Sequence, residues 1–505
     1  MKQLFQILAA SFLITSVSWA SSPVSVCKAN PHYFFYKNKP LILITSDHHY
    51  GAVIDLDFDY RKFLNYQSDN GMNLTRIYPG GMFETPDKYL KGNPLGPLAG
   101  RQLLPWAKSV QTGANPLLAE AGKSSFKYDL EKWNPDYFKR LKAFVELARK
   151  LDIIVEVPFF NGMYAVCWPL MAMNHENNIQ DVGKYEAKDC GLFTSFSPQN
   201  QDVIRYQKAY IKKLTTELNG FDNVIFDICD EPSLQGLPDG SCIFLPDSTV
   251  VPWINAMKNV FLETEKTLPY KHILGQTVQS LSPDFSGESW CEWLPTEYIT
   301  SAQKALNINF KSNKPLMNVE SNYFGISLTK NPYNADAVRL EGWWFMLSGG
   351  AGNINLNGEF FRGQETGGPI TQKQIVPQRK VLKEFMKSLD LINLSPFTGF
   401  SGVPADAICK ALAKPGQQYA FYLFHGAPES EWGSHFIGKA GNYRETISIN
   451  TVPEGKYQIE WIEPVSGKVI QTENLSCKGG NLDLKTPEYK LDIALRIANR
   501  DKYNE

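Results

Sequence analysis

The chain has 505 residues, with 51 basic side chains against 52 acidic ones and 13% aromatic residues. That near balance excludes the basic footprint by which proteins hold nucleic acid or anionic membrane. The length exceeds what one hydrophobic core normally serves and points to a large domain followed by a smaller one.

The first residues predict a secretory signal. Lys2 supplies charge, Leu4 to Val17 are mostly apolar, and Ser18-Trp19-Ala20 puts small residues at both specificity positions of a cleavage site. The apolar run is short and has no stop-transfer flank, which argues against a membrane anchor. No Cys follows the cut, so a lipoprotein is not expected. The expectation is an exported chain, secreted or periplasmic, of about 485 residues. Export permits disulfides. Of the eight Cys, Cys167 with Cys190 and Cys242 with Cys291 lie in predicted loops and are the expected pairs, whereas Cys229 ends a buried strand as a free thiol. No spacing suits a structural zinc.

From about residue 40 to 360, short apolar strands alternate with amphipathic helices, the mark of a parallel β/α architecture. Strands are predicted at 40–46, 73–79, 152–160, 223–229, 272–277, 296–299, 314–320 and 353–357. Helices are predicted at 59–72, in "PDYFKRLKAFVELARKL", at 201–218 and at 336–349; Asp59 is the N-cap of the first and Gly71 its stop. Eight such units suit a (β/α)8 barrel over 21–395 with enlarged loops at 80–134, 161–200 and 232–255. A doubly wound open sheet is the alternative, but no Gly-rich phosphate loop opens any helix. Beyond 395, "QYAFYLF", "RETISIN", "KYQIEWIEP", "KVIQTEN" and "DIALRIA" alternate as strands, predicting a β-sandwich over 396–505 packed directly on the barrel.

The stretch "FDICDEPS" closes the fourth strand with Asp230, Glu231 and Pro232, and "KPLMNVE" closes the seventh with Glu320. Side chains just past barrel strand ends face the active site. Cleaving a glycoside with retention needs two carboxyl groups flanking the bond, one protonated and one ionised, about 5–5.5 Å apart. Asp227 is read as a buried, salt-bridged structural acid.

At these residues the chain resembles the clan of retaining (β/α)8 glycosidases that includes the family-five cellulases and mannanases. "GMNLTRIYP", "YIKKLTTELNGFDNVIFDICDEP" and "KPLMNVES" resemble its second, fourth and seventh strands. "RLEGWWFMLSGGAG" and "GKYQIEWIEPVSGK…LDIALRI" resemble a narrower group of bacterial cellulase-like or apiosidase-like proteins with a small sandwich labelled collagen-binding. The resemblance implies Glu231 as acid/base, Glu320 as nucleophile, Arg76 as the nucleophile's support, a carbohydrate substrate and no cofactor. It departs from the clan at Asp230, where an Asn amide usually binds the sugar 2-hydroxyl. An ionised Asp230 would help keep Glu231 protonated; alternatively Asp230 is itself the acid.

His48 and His49, in "SDHHYG", are expected to hydrogen-bond substrate at the first strand's mouth or, in a competing reading, to hold a metal; the other five His are scattered. Asn161, Tyr323 and Trp168 are further candidates for sugar contacts, with Tyr78, Trp290 and Trp293 in or beside mouth loops. Trp343 and Trp344 are read as core. "DLDFDY" lacks the Gly and closing Glu of a calcium loop and reads as an acidic helix start. A non-catalytic carbohydrate- or matrix-binding protein on the same barrel remains the competing class.

Overall fold

The computed structural model describes residues 22–501 apart from 88–89, 280, 322–323, 325–332 and 430–434, and leaves out the side chains of 308–311. The expected signal and Tyr323 lie outside the described residues. Among the described residues no helix is long and apolar enough to cross a membrane.

Eight parallel strands form the larger part: β1 (Leu43–Asp47), β2 (Leu74–Arg76), β3 (Ile154–Asn161), β4 (Val224–Asp230), β5 (Leu274–Gly275), β6 (Leu294–Glu297), β7 (Leu316–Glu320) and β8 (Gly352–Leu356). They pair in two runs, β2-β3-β4-β5 and β6-β7-β8-β1. Bridges Gly275↔Trp293 and Val278↔Thr296 join the runs on one side. On the other, the Asn73 side chain accepts from Ile44 N at 3.0 Å and donates to Ile42 O at 2.8 Å, standing in for ladder bonds between β1 and β2. The result is a (β/α)8 barrel whose strands are buried on both faces, which is why they read as continuous apolar runs.

Helices α1 (Tyr60–Asp69), α2 (Pro135–Lys150), α3 (Gln201–Leu218) and α6 (Ala335–Leu347) stand where the periodicity put them. Asp59 caps α1 by accepting from Arg61 N and Lys62 N, and Gly71 follows at φ +78°. Asn134 caps α2, with Pro135 in its first turn. Three further helices, α4 (Asp247–Lys266), α5 (Tyr298–Ser312) and α7 (Val376–Lys387), were not expected. Strand β6 starts two residues earlier than expected and ends at Glu297. Tyr298 then turns the chain at φ +50° and opens α5.

The C-terminal part is antiparallel. One sheet of seven strands centres on Gln418–Pro428, Asp492–Asn499 and Gly455–Ile462; a second joins Phe400–Ser401, Thr446–Val452 and Gly480–Lys485. The strand Gln418–Pro428 is apolar throughout its first half because both its faces are covered. Tyr419, Phe421 and Leu423 pack with Ile447, Ile449, Leu482 and Leu484 of the second sheet, while Ala420, Tyr422 and Phe424 join the barrel's core. Trp343 of α6 stacks on Tyr422, with ring centroids 5.2 Å apart, and Trp344 meets Phe436 edge-on. Both tryptophans are core, as expected. The strands Ala407–Lys414 and Gly480–Lys485 were not anticipated.

No disulfide joins any of the eight cysteines, so neither expected pair forms. Cys167 and Cys190 are each buried, and Cys190 Sγ donates to the Met163 carbonyl. Cys242 is exposed on the hairpin Leu234–Gly236/Cys242–Phe244, whereas Cys291 is fully buried. Placing a thiol in a loop says nothing of whether that loop folds inward.

Candidate active site

Strands β3, β4 and β7 each send a carboxylate to one guanidinium at the end of β2. Arg76, fully buried at the end of β2, reaches Glu156 of β3 (Nε to Oε2, 2.6 Å), Asp230 of β4 (Nη2 to Oδ1, 2.7 Å) and Glu320 of β7 (Nη1 to Oε2, 3.6 Å). It lies over the rings of Tyr50 and Tyr78, at 4.9 and 5.4 Å from their centroids. Its own backbone is tied to β1, since Arg76 N donates to Asp47 Oδ2 at 2.6 Å.

Asp230 is closed off. Besides Arg76 it accepts from the Tyr78 hydroxyl and from Asn161 Nδ2, the latter at 3.0 Å, and it is hydrogen-bonded to Glu297. Burial alone would raise its pKa; the Arg76 charge, with the Glu297, Arg76 and Tyr78 hydrogen bonds, outweighs that and holds it below the usual aspartate value. Asp230 is 1% exposed, and its oxygens face protein groups that hold it as an ionised anchor.

Glu231 stands differently. It is the first residue past β4 and sits at φ +45°, a left-handed conformation costly for a side-chain-bearing residue, about 1–3 kcal/mol. Tyr164 OH donates to its Oε2 at 2.6 Å and Gln279 Nε2 to its Oε1 at 3.3 Å. Burial, then the charges of Asp230 and Glu320, push its pKa up to about 8. Gly162, at the end of β3, permits this geometry: a Cβ there would lie 2.3 Å from the Glu231 carbonyl oxygen. Glu320, across the mouth, accepts from Tyr298 OH at 3.1 Å as well as pairing with Arg76.

A further acid, Glu297 at the end of β6, completes the cluster. Asp230, Glu297 and Glu320 each bring a carboxylate oxygen within 4.8 Å of the others. This is the one group among the described residues close enough to chelate an ion, and it includes neither His48 nor His49. Burial, then Asp230, push Glu297 well above the usual range.

The remaining expectations divide. Asn161 is in the site, donating to Tyr78 OH at 2.8 Å and to Asp230, with its Oδ1 buried and meeting no donor. His49 is 3% exposed with Nε2 3.3 Å from Glu84; burial would lower its pKa, but Glu84 and Glu320 raise it, which places it beside the cluster. His48 is taken up by protein groups. Its Nδ1 bonds Asp47 at 2.8 Å, its Nε2 accepts from Ala52 N, and its ring packs on Phe58 and Phe63. Trp168 is buried under its loop: it is 1% exposed, stacked on Tyr185 at 4.2 Å and bonded to the Tyr185 carbonyl. Trp293 is core, donating to Phe226 O. Asp227 is buried but has no salt bridge; Thr277 donates to it at 2.8 Å, and burial pushes it up to about 7. Tyr164, Gln279, Glu297 and Tyr298 were missed. None of them carried a signal in the sequence; Glu297 falls inside the predicted strand 296–299.

No family model matches the chain, and no curated protein matches it. Solved structures do. One described as a glycoside hydrolase superposes with a TM-score of 0.60 at 12% identity, covering 95% of this chain and 98% of that one. A family 5 glycoside hydrolase from Bacteroides vulgatus superposes with a TM-score of 0.58 at 13% identity, covering 96% of this chain and 95% of that one. At such identities the likeness is one of fold, and it extends over nearly the whole of both chains.

Proposed function

We propose that this chain is a retaining glycoside hydrolase acting on a poly- or oligosaccharide at the C-terminal mouth of the barrel, and that it works after export. The observation that carries the reading is the contrast between two buried carboxyls. Glu231 is kept protonated by burial and by the charges of Asp230 and Glu320, while Glu320 receives hydrogen bonding from Tyr298 and the field of Arg76. A carboxyl held protonated across the mouth from a carboxylate paired with an arginine is what acid and nucleophile roles require. The Glu320 carboxylate attacks the anomeric carbon as the glycosidic C–O bond breaks, and the Glu231 proton passes to the departing oxygen. Water then gives a proton back to Glu231 and displaces Glu320. The family 5 name of the Bacteroides relative supports the same assignment by analogy of fold. The two C-terminal sheets are read as a sandwich that braces the barrel, and 21–395 and 396–505 as the two domains.

The test is turnover of a glycan panel by wild type, Glu231→Gln and Glu320→Gln. Wild-type activity lost in both variants supports the reading. A wild-type protein that binds a glycan without cleaving any member of the panel contradicts it.

A further inference from the structure

The cluster holds more carboxyl groups than positive charge, and Glu297 marks how the excess is resolved. It is fully buried. Its Oε2 accepts from Gln279 Nε2 at 2.6 Å. Its Oε1 meets no donor, yet the carboxyl is hydrogen-bonded to Asp230. Asp230 is held ionised, ion-paired with Arg76 through Oδ1 and accepting from Tyr78 and Asn161 through Oδ2. A hydrogen bond between two carboxyls needs one proton, and only Glu297 can supply it. The titratable groups facing Glu297 are Asp230 and Glu231 beyond β4, Glu320 on β7, Tyr298 next to it and Cys229 behind.

We propose that Glu297 is a positioning residue that works as a neutral carboxylic acid, donating to Asp230 through its hydroxyl and accepting from Gln279 through its carbonyl oxygen. Resting on the hydrolase reading above, this gives Gln279 its orientation, so that the second hydrogen of its amide reaches Glu231 Oε1 at 3.3 Å. A line Asp230–Glu297–Gln279–Glu231 thus ties the anchored carboxylate to the proton donor. The direction of each bond is fixed by the single proton on Glu297. Burial and the neighbouring Asp230 charge favour that protonated form.

The test uses the full chain and the isostere Glu297→Gln, whose amide can donate to Asp230 and whose oxygen can accept from Gln279. Glu297→Leu can do neither. Infrared difference spectra at neutral pH, wild type minus Glu297→Gln, should show the loss of one protonated-carboxyl carbonyl component, with those of the other protonated acids retained. On a glycoside that wild type cleaves, Glu297→Gln should keep kcat within about tenfold, and Glu297→Leu should lose on the order of 100-fold by misplacing Glu231. A band unchanged in Glu297→Gln overturns the proposal. So does Glu297→Gln as inactive as Glu320→Gln, or a stoichiometric metal whose removal by chelator abolishes activity. If wild type cleaves no glycan, the hydrolase reading fails while the infrared band still decides the state of Glu297.

Discussion

Two buried arginines show how differently this fold treats charge. Arg339 of α6 meets Asp492 of the C-terminal sheet through two bonds, Nε to Oδ2 at 2.8 Å and Nη2 to Oδ1 at 3.1 Å, and Tyr422 OH completes the carboxylate at 2.7 Å. One cation faces one fully buried anion, and its other bonds go to Gln378 and to Asp336 at the surface. Arg76 instead faces Glu156, Asp230 and Glu320, with Asp227, Glu231 and Glu297 close behind. A matched pair holds two layers together. A surplus of carboxyls forces some to keep protons at neutral pH, and a retained proton beside an ionised partner is the raw material of acid–base chemistry.

The comparison breaks first at the carboxyls themselves. Glu320→Gln should lower kcat on the order of 10⁴-fold or more, and Glu231→Gln by roughly 10²–10⁴-fold with the largest loss on poor leaving groups, both read by steady-state kinetics. Next come the arginines. Arg339→Met leaves Asp492 buried without its cation, with the Tyr422 hydroxyl still beside it, and should cost roughly 3–5 kcal/mol in denaturant unfolding, with kcat/KM unchanged where the protein is folded. Arg76→Met should abolish turnover as well as destabilise. Gly162→Ala should act only at the mouth, where its Cβ collides with the Glu231 carbonyl. Its expected loss is on the order of 10²-fold in kcat, with the C-terminal sheets unfolding as in wild type. The smallest effect is the pH profile. In its proposed role as acid Glu231 acts protonated, and burial with the charges of Asp230 and Glu320 pushes its pKa up to about 8. Activity should therefore hold on the acid side of that value and fall as pH rises through it. Asp230→Asn, by removing a neighbouring negative charge, should move the fall to lower pH.

Much of this was legible because period and position coincide. Glu231 and Glu320 stand at the ends of apolar runs too short for helices, and the strand-end rule places such residues at the mouth. Arg76 follows from the same rule. Glu297 was not legible, because "TEYI" reads as a strand two residues late and puts the acid mid-strand; only the left-handed turn at Tyr298 shows the strand has ended. Helix α4 hides its period behind an internal Pro252. His48 and Trp168 were misplaced for a different reason. Composition marks them as able to bind sugar, but burial depends on which loops fold over them, and pattern carries no record of that. Asp230 shows the same limit: its position, where the clan's Asn usually binds sugar, suggested substrate contact, whereas in the fold its oxygens face Arg76, Tyr78 and Asn161.

The central claim is that Glu320 is the nucleophile of a retaining reaction. Incubating the wild-type chain with a panel of 2-deoxy-2-fluoroglycosides bearing activated leaving groups, then digesting it for peptide mass spectrometry, tests this directly. The account predicts a glycosyl adduct on the peptide carrying Glu320, and none in Glu320→Gln. An adduct on Glu297 or Glu231, or turnover that releases the inverted anomer without any adduct, would contradict it.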